Sequence, residues 1–208
     1  MSNATPRKKP LQQRARNTVQ KLLQATAELI EANGVDALTT NHIAERAGVN
    51  IASLYQYFPN KEALLAALLE NYFQEISKTL NDVLVAQADL PIADSTRIWC
   101  VAALAYFRER PQLVQMILKF QHHPNELPSA KLFEYRLIEA MRRFLAPRRN
   151  QLVVPDLELA IQVAYTACAA VLTRHLLDPL PYHSDEMIAN ELVRMMEGYF
   201  HLSPPKED

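Results

Sequence analysis

Residues 39–65, TTNHIAERAGVNIASLYQYFPNKEALL, decide the fold of this 208-residue chain. Thr39 or Thr40 can cap a short helix through its side-chain oxygen, and Gly48 then supplies the backbone freedom that a sharp turn needs. Asn50 can cap a second short helix, which the next proline ends. Two short helices joined by a turn that contains glycine are typical of the helix-turn-helix, whose second helix enters the major groove of DNA. The stretch therefore predicts a sequence-specific DNA-binding protein.

Apolar residues recur at helical spacing on both sides of this stretch, and most prolines stand between the periodic segments. With three glycines and thirteen prolines, the composition favours helices over sheets. We predict an all-α chain of about nine helices. A basic arm and a three-helix head with the helix-turn-helix occupy residues 1–60, and a helical body for ligand binding and dimerisation occupies residues 61–208. The helices outside the helix-turn-helix are predicted over residues 12–33, from 61 to a break at 88–91, and over 92–109, 113–120, 129–145, 155–177 and 184–202.

The charge of the chain is divided unevenly between its two parts. Residues 1–61 contain eight Lys and Arg against four Asp and Glu, a net charge of +4, whereas residues 62–208 contain fourteen against nineteen, a net charge of −5. A basic segment that carries a helix-turn-helix suits contact with DNA phosphates. The acidic remainder argues against DNA wrapping over the whole surface.

Other classes of site have little support in the sequence. Cys100 and Cys168 lie in apolar helical patterns without Cys-x-x-Cys spacing, and we interpret them as reduced core residues. His122, His123 and His175 lack the ligand spacing of a zinc site, so we predict no metal site and no cofactor. Neither a run of 18 uncharged apolar residues nor the hydrophobic core of a signal peptide occurs, which predicts a cytoplasmic protein with no membrane partner.

The helix-turn-helix stretch also carries a longer pattern. In order and without gaps it reads Thr40-x-x-Ile43-Ala44-x-x-Ala47-Gly48-Val49-x-x-x-x-Leu54-Tyr55-x-Tyr57-Phe58-x-x-Lys61-x-x-Leu64. This pattern, with the helix that precedes it, resembles the TetR family of bacterial transcriptional regulators over about residues 15–70. The helix count and proline boundaries of residues 75–202 also look like that family's nine-helix plan, but only in architecture, so they assign no ligand.

The resemblance implies a homodimer with two DNA-reading heads and a ligand pocket in each body. It implies a repressor that binds a double-stranded DNA operator and is released by a small-molecule effector. By this interpretation a ligand that favours another conformation of the body shifts the fourth helix, and so changes the separation of the heads, about 34–36 Å on successive major-groove faces. DNA affinity then falls by the coupling free energy, typically about 1–3 kcal/mol.

The start of the second helix of the motif faces base edges by the geometry of the helix-turn-helix. Ser53 can exchange a hydrogen bond with a base, and Gln56 either reads adenine or is merely solvated. Tyr55 and Tyr57 match family positions that contact DNA, the alternative being rings that fill the core of the head. Lys61 resembles the family's phosphate-contacting lysine, the alternative being a solvated charge. The predicted DNA-binding residues are Thr40, Asn41, Asn50, Ile51, Ala52, Ser53, Tyr55, Gln56, Tyr57 and Lys61.

Two further sets concern the head. Leu54 and Phe58 are predicted to anchor the second helix of the motif in the core rather than to contact DNA. A basic arm either lies along DNA or is a solubilising tail; it consists of Arg7, Lys8, Lys9, Arg14 and Arg16.

The body is rich in aromatic residues on helices that enclose its interior, and most such residues in a helical bundle are core. The candidates for a ligand pocket are Trp99, Tyr106, Met116, Phe120, Tyr135, Arg136 and Tyr165. The last two helices have broad apolar faces, and the resemblance implies that such helices form a four-helix dimer interface. The candidates for this interface are Ala164, Cys168, Val171, Leu172, Leu192, Met195, Met196 and Tyr199.

The sequence thus predicts a ligand-responsive transcriptional regulator, most simply a repressor on a palindromic operator. The alternative is a constitutive DNA-binding protein with no small-molecule effector. We do not predict an enzyme, because neither a nucleophile elbow nor a Gly-rich phosphate loop nor a metal set occurs in the sequence.

Overall fold

The computed structural model describes residues 8–120, 128–179 and 181–200, with side chains from residue 13 onward except at 115, 118–120, 128 and 129. The described residues form nine α-helices, one 3₁₀ helix and no strand, which confirms the all-α prediction. In chain order these are α1 Lys8–Asn33, α2 Thr40–Ala47, α3 Ile51–Tyr57, α4 Lys61–Ala86, α5 Ile92–Arg108, α6 Pro111–Phe120, α7 Pro128–Leu145, the 3₁₀ helix Ala146–Gln151, α8 Leu157–Leu177 and α9 Asp185–Phe200.

Two helices begin earlier than the sequence predicted. Helix α1 starts at Lys8 rather than near residue 12, and α6 starts at Pro111 rather than at Leu113. In both cases a proline lies in the first turn, where its missing N–H leaves no hydrogen bond unmade and its fixed φ already suits the helix. Proline was treated as a boundary in the prediction, whereas here Pro10 and Pro111 lie inside the helix start.

The chain divides into two compact units. The first comprises Met1–Asn71 with Gln115–His122, and the second comprises Tyr72–Val114 with His123–Asp208, so the division falls inside α4. The predicted functional division between residues 1–60 and 61–208 stays a prediction. The first unit packs α1 against α2 and α2 against α3. Its buried side chains include Leu22, Ala25, Thr26, Ile30, Val35, Leu38, Ile43, Ala44, Leu54, Phe58, Leu64, Leu65, Leu68 and Leu69.

The second unit is organised around α5, which packs against both α8 and α9, and α7 packs against α8. Its core consists mainly of apolar side chains from α4, α5, α7, α8 and α9. Among the described residues, α8 alone is long and apolar enough to cross a membrane by length and composition. A single helix of this kind is weak evidence for a membrane span, because buried and interface helices of globular proteins have the same composition.

A charged cluster ties the three central helices of the second unit together. The guanidinium of Arg108 on α5 donates to both carboxylate oxygens of Asp185 on α9, at 2.6 and 2.7 Å. The Nε2 of His175 on α8 lies 2.9 Å from the same carboxylate, and His175 is buried. The Arg108 guanidinium, and after it the His175 ring, hold the pKa of Asp185 below its ordinary value. The stability that this carboxylate contributes is therefore present above its unfolded pKa and is lost as the pH falls through its lowered folded pKa.

Candidate nucleic-acid interface

The helix-turn-helix is fixed by three local features that the sequence predicted. The Thr39 side chain caps α2 by accepting from the His42 backbone N–H at 3.2 Å. Gly48 ends α2 with a φ of 62°. The Gly48 N–H donates to the Glu45 carbonyl at 3.1 Å, and the Val49 N–H donates to the Ala44 carbonyl at 2.9 Å. This pair of bonds is the Schellman motif, which needs a left-handed residue at its centre. Asn50 then caps α3, accepting from the Ala52 N–H at 2.8 Å.

Helix α3 is held by its inner side. Leu54 is fully buried and Phe58, which follows the helix, is buried as well, so both act as the predicted core anchors. The first unit is further braced by an ion pair between Arg46 on α2 and Glu28 on α1, 2.5 Å apart. The hydrogen bond from Arg46 lowers the pKa of the Glu28 carboxyl. The outer side of α3 is thus presented on a helix whose orientation is set by packing.

The predicted DNA-binding residues lie on the outer side of the motif. None of the ten is buried within the chain. Four are half-buried: Thr40 on α2, Ile51 and Ser53 on α3, and Lys61 on α4. The exposed members are Asn41, Asn50, Ala52, Tyr55, Gln56 and Tyr57. We call these ten positions, most of which are polar or aromatic, the α3 surface.

The two tyrosines of the α3 surface differ in their surroundings. The Tyr55 hydroxyl lies 3.1 Å from the Thr40 hydroxyl, which links α3 to the start of α2. The Tyr57 hydroxyl has no hydrogen-bond partner within the described part of the chain, and the ring is 37% exposed. Both rings are exposed, which contradicts the alternative that they only fill the core of the head. The Thr40–Tyr55 contact is a feature that the sequence analysis missed, because it joins residues fifteen positions apart.

The N-terminus of α4 directly follows the helix-turn-helix in the chain and carries polar residues. The Asn60 side chain accepts from the Ala63 N–H at 2.8 Å, which caps the helix, and Lys61 is its first residue. A helix N-terminus carries a partial positive charge and free N–H groups, and a lysine adds a full charge. The combination suits a phosphate. In the basic arm, Arg14 and Arg16 are exposed on α1, whereas Arg7 and the side chains of Lys8 and Lys9 lie outside the described residues.

We expect Gly48→Val to lower the free energy of unfolding by about 2 kcal/mol, because a β-branched residue is strained at a φ of 62°. An added Cβ meets nothing within 4 Å, so the cost is backbone strain and not a clash. Gly48→Asn should recover most of the loss, since asparagine tolerates this conformation. The measurement is urea unfolding.

The control for this substitution is Gly198→Ala on α9, where there is also open space but φ is ordinary. It should raise stability by roughly 0.5–1 kcal/mol. Equal stability of Gly48→Val and the unchanged chain would show that the left-handed turn is not required.

The second unit contains a cavity of about 50 Å³ among its described pockets. Of the seven predicted pocket residues, Trp99 and Tyr165 line it. Ten further residues line the cavity and were not predicted to do so. Most are aliphatic or contain sulfur: Leu84, Ile92, Thr96, Cys100, Met141, Phe144, Leu145, Cys168, Met196 and Phe200. Burial raises the pKa of the Tyr165 hydroxyl, which keeps it neutral.

Four of the five remaining predicted pocket residues do not line this cavity, and the pocket prediction is corrected for these four. Tyr106 is buried against α4, with its hydroxyl donating to the Tyr72 carbonyl at 3.3 Å. Met116 is buried in α6 and does not line the cavity. Tyr135 and Arg136 line an open polar groove on the surface instead, since α7 turns this side outward. The side chain of Phe120 lies outside the described residues.

The predicted dimer residues divide by burial. Ala164, Cys168, Leu172, Leu192 and Met196 are buried inside the second unit, so they do not form its surface, and the prediction is corrected for them. Of these, Cys168 and Met196 line the cavity. Val171, Met195 and Tyr199 are exposed by 37–39%. The sequence missed three exposed neighbours on the same helices: Leu159, Val163 and Met187.

On each helix the exposed apolar residues are spaced by four or eight positions. At 100° per residue they cover a face of about 120° on α8 and on α9. We call these six residues the α8–α9 apolar face; they are Leu159, Val163, Val171, Met187, Met195 and Tyr199. Exposed apolar residues so aligned are typical of a protein-binding surface.

Two family models match this chain. The one described as bacterial regulatory proteins, tetR family, matches residues 22–68, and the one described as tetracyclin repressor-like, C-terminal domain, matches residues 91–200. The first match contains the whole helix-turn-helix, and the second contains the cavity-lining helices α5 and α7 to α9. Together they account for most of the chain.

Individual proteins are similar to parts of this chain. The nucleoid occlusion factor SlmA of Vibrio vulnificus is 28% identical over 138 residues, which are 64% of this chain and 69% of that protein. The class A tetracycline repressor protein from transposon 1721 of Escherichia coli is 48% identical over 59 residues, 28% of this chain and 26% of that protein.

Solved structures share the fold at low identity. SmeT, the repressor of the Stenotrophomonas maltophilia multidrug efflux pump SmeDEF, matches with a TM-score of 0.66 at 19% identity, covering 91% of this chain and 94% of that one. A TetR-family structure from Mesorhizobium loti matches with a TM-score of 0.69 at 14% identity, covering 89% and 97%.

Proposed function

This chain belongs to the TetR family of DNA-binding transcriptional regulators, and we propose that it is a repressor. It binds a palindromic operator as a homodimer, and an effector bound in its second unit releases it. Regulators of this family are typically non-enzymatic, and no catalysis is part of the proposal. The site of action is the chromosome, in the cytoplasm.

The observation that carries the proposal is the α3 surface. A short helix capped at its start by Asn50 and anchored by Leu54 presents polar and aromatic side chains outward. Of these, Gln56 has the amide that reads adenine, and the Tyr57 hydroxyl is unpaired within the described chain. Phosphate contacts from Lys61 and the start of α4 then set the register of α3 in the groove. Their roles in DNA binding are part of the proposal.

The α8–α9 apolar face supports the homodimer. Two copies of this face meet across a two-fold axis, so the same apolar residues are covered in both subunits. A two-fold protein reads a site with the same symmetry, which is why the operator is expected to be palindromic.

An effector is supported more weakly, because the cavity is small. Organic ligands occupy pockets of about 300–1,000 Å³, several times the volume of this one. The small volume favours the second candidate function, a DNA-binding protein that needs no organic effector.

The test is a selection of genomic fragments by the purified protein, followed by a reporter placed behind the enriched fragment. We expect a few discrete fragments that share an inverted repeat, loss of enrichment with Tyr57→Ala, and lower reporter expression when the protein is present. Diffuse enrichment that depends on salt alone would contradict an operator. A discrete site without any change in expression would contradict repression and favour the second candidate.

A further inference from the structure

Four sulfur-containing side chains are part of the lining of the cavity in the second unit. Cys100 is on α5, Met141 on α7, Cys168 on α8 and Met196 on α9, and all four line the cavity. Both cysteines are free and buried, and Met196 is buried as well. The chain has only these two cysteines, so every thiol of the protein is at this one place.

The two thiols are close enough to act on each other. The neighbouring Cys168 sulfur, and after it burial, raises the pKa of the Cys100 thiol. The same contact works in the opposite direction on Cys168, whose pKa is lowered because the Cys100 thiol donates to it. The two sulfur atoms are therefore neighbours at the cavity.

The donor atoms decide which class of ligand suits the cavity. Thiolates and thioethers are soft ligands that select monovalent copper over hard cations. A zinc site needs three or four nitrogen, thiolate or carboxylate ligands, and the described residues contain no cluster of three or more His, Cys, Asp or Glu. The remaining lining is almost entirely aliphatic and aromatic, which excludes hydrated ions.

We propose that the sulfur-lined cavity formed by Cys100, Cys168, Met141 and Met196 binds one soft monovalent cation, Cu(I), and that this ion is the effector. The second half of the statement rests on the proposed regulatory function, whereas the binding site does not. The ion is small enough for the cavity that is too small for an organic molecule, so the cavity volume and the effector role are reconciled.

The charges and protons balance at this site. Cu(I) displaces the thiol proton of Cys168, so a sulfur–hydrogen bond is replaced by a sulfur–copper bond and one proton is released per ion. No electron is transferred. The Cu(I)–thiolate pair is neutral, and the Cys100 thiol and the two thioethers complete the site without adding charge. A neutral complex is what an apolar interior accommodates, because an uncompensated buried charge is strongly unfavourable.

The binding test uses the full-length protein with Ag(I) as a stable probe and Cu(I) in competition with a chelator. Trp99 is the only tryptophan and lines the cavity, so its fluorescence reports binding directly. We expect one ion per chain, one proton released per ion, and a change in Trp99 emission. Cys168→Ala should weaken binding at least about a hundredfold, since it removes the thiolate. Zn(II) should not compete.

Two methionine variants keep the test independent of folding. Met196→Leu keeps the volume of the side chain and should weaken binding about tenfold through loss of one soft ligand. Met116→Leu is its matched control, because Met116 is buried on α6 and does not line the cavity, and it should bind like the unchanged chain. Binding that survives the loss of both cysteines, or equal effects of the two leucine variants, overturns the site.

The effector role is tested separately on operator DNA. We expect Ag(I) and Cu(I) to lower operator affinity at least tenfold in the unchanged chain and to leave that of Cys168→Ala unchanged. If the ion binds at the cavity and operator affinity does not move, the effector role is overturned while the metal site stands. If no discrete operator is found, the proposed function fails, but the fluorescence and proton measurements still decide the site.

Discussion

Replacing Lys61 by glutamate should lower the affinity for operator DNA about a thousandfold at low salt, because a phosphate contact becomes a repulsion. Lys61 is the first residue of α4, where the helix end already favours an anion. In a two-fold complex the substitution occurs twice, so a loss of about 2 kcal/mol at each copy gives about three factors of ten. The measurement is a fluorescence anisotropy titration of a labelled operator fragment at several salt concentrations.

The salt dependence gives this prediction its specificity. The slope of log affinity against log salt should fall by about one unit or more per copy, since each lysine that leaves a phosphate takes one counterion-release contribution with it. Lys131→Glu on α7 is the matched control, because it makes the same change of charge on an exposed lysine of the second unit. Equal losses for the two variants would mean that net charge matters and that the start of α4 does not contact DNA.

Replacing Met195 by aspartate should convert the protein from dimer to monomer at micromolar concentration. Met195 lies in the α8–α9 apolar face, and a buried carboxylate without a partner is costly there. A loss of about 2 kcal/mol per side, counted twice by symmetry, weakens dimerisation about a thousandfold. Operator affinity should fall with it, by about a hundredfold, because a monomer reads only one half-site.

Sedimentation velocity over a concentration series measures this change, with the operator titration alongside. Leu132→Asp is the control: Leu132 is 42% exposed on α7 against 39% for Met195 on α9, so the two substitutions place the same carboxylate at equally exposed helical positions. The control should stay dimeric. A monomeric unchanged protein, or a dimeric Met195→Asp variant, would place the interface elsewhere.

The helix-turn-helix could be predicted in detail because its determinants are local. Thr39, Gly48 and Asn50 each act on backbone groups within five residues, so their residue types and spacing were sufficient. The buried positions Leu54 and Phe58 followed from the helical period of a short amphipathic helix. The Thr40–Tyr55 hydrogen bond was beyond this reasoning, since it depends on how α2 and α3 cross.

The body was predicted in architecture but less well in its residues. Both α8 and α9 are apolar on more than one side, and the sequence does not say which side faces the core. Cys168 and Met196 were therefore assigned to the dimer surface, although they line the cavity. The sulfur-lined cavity joins residues from four helices, up to 96 positions apart, and spacing along the chain gave no signal for it.

DNA recognition by a dimer is tested most directly by a hydroxyl-radical footprint of the protein on the genomic fragment that it selects. We expect two protected patches related by a two-fold axis, with centres about 34–36 Å apart, each lost with Lys61→Glu. A single protected patch, or uniform protection along the fragment, would contradict a dimer that places two copies of α3 in successive major grooves.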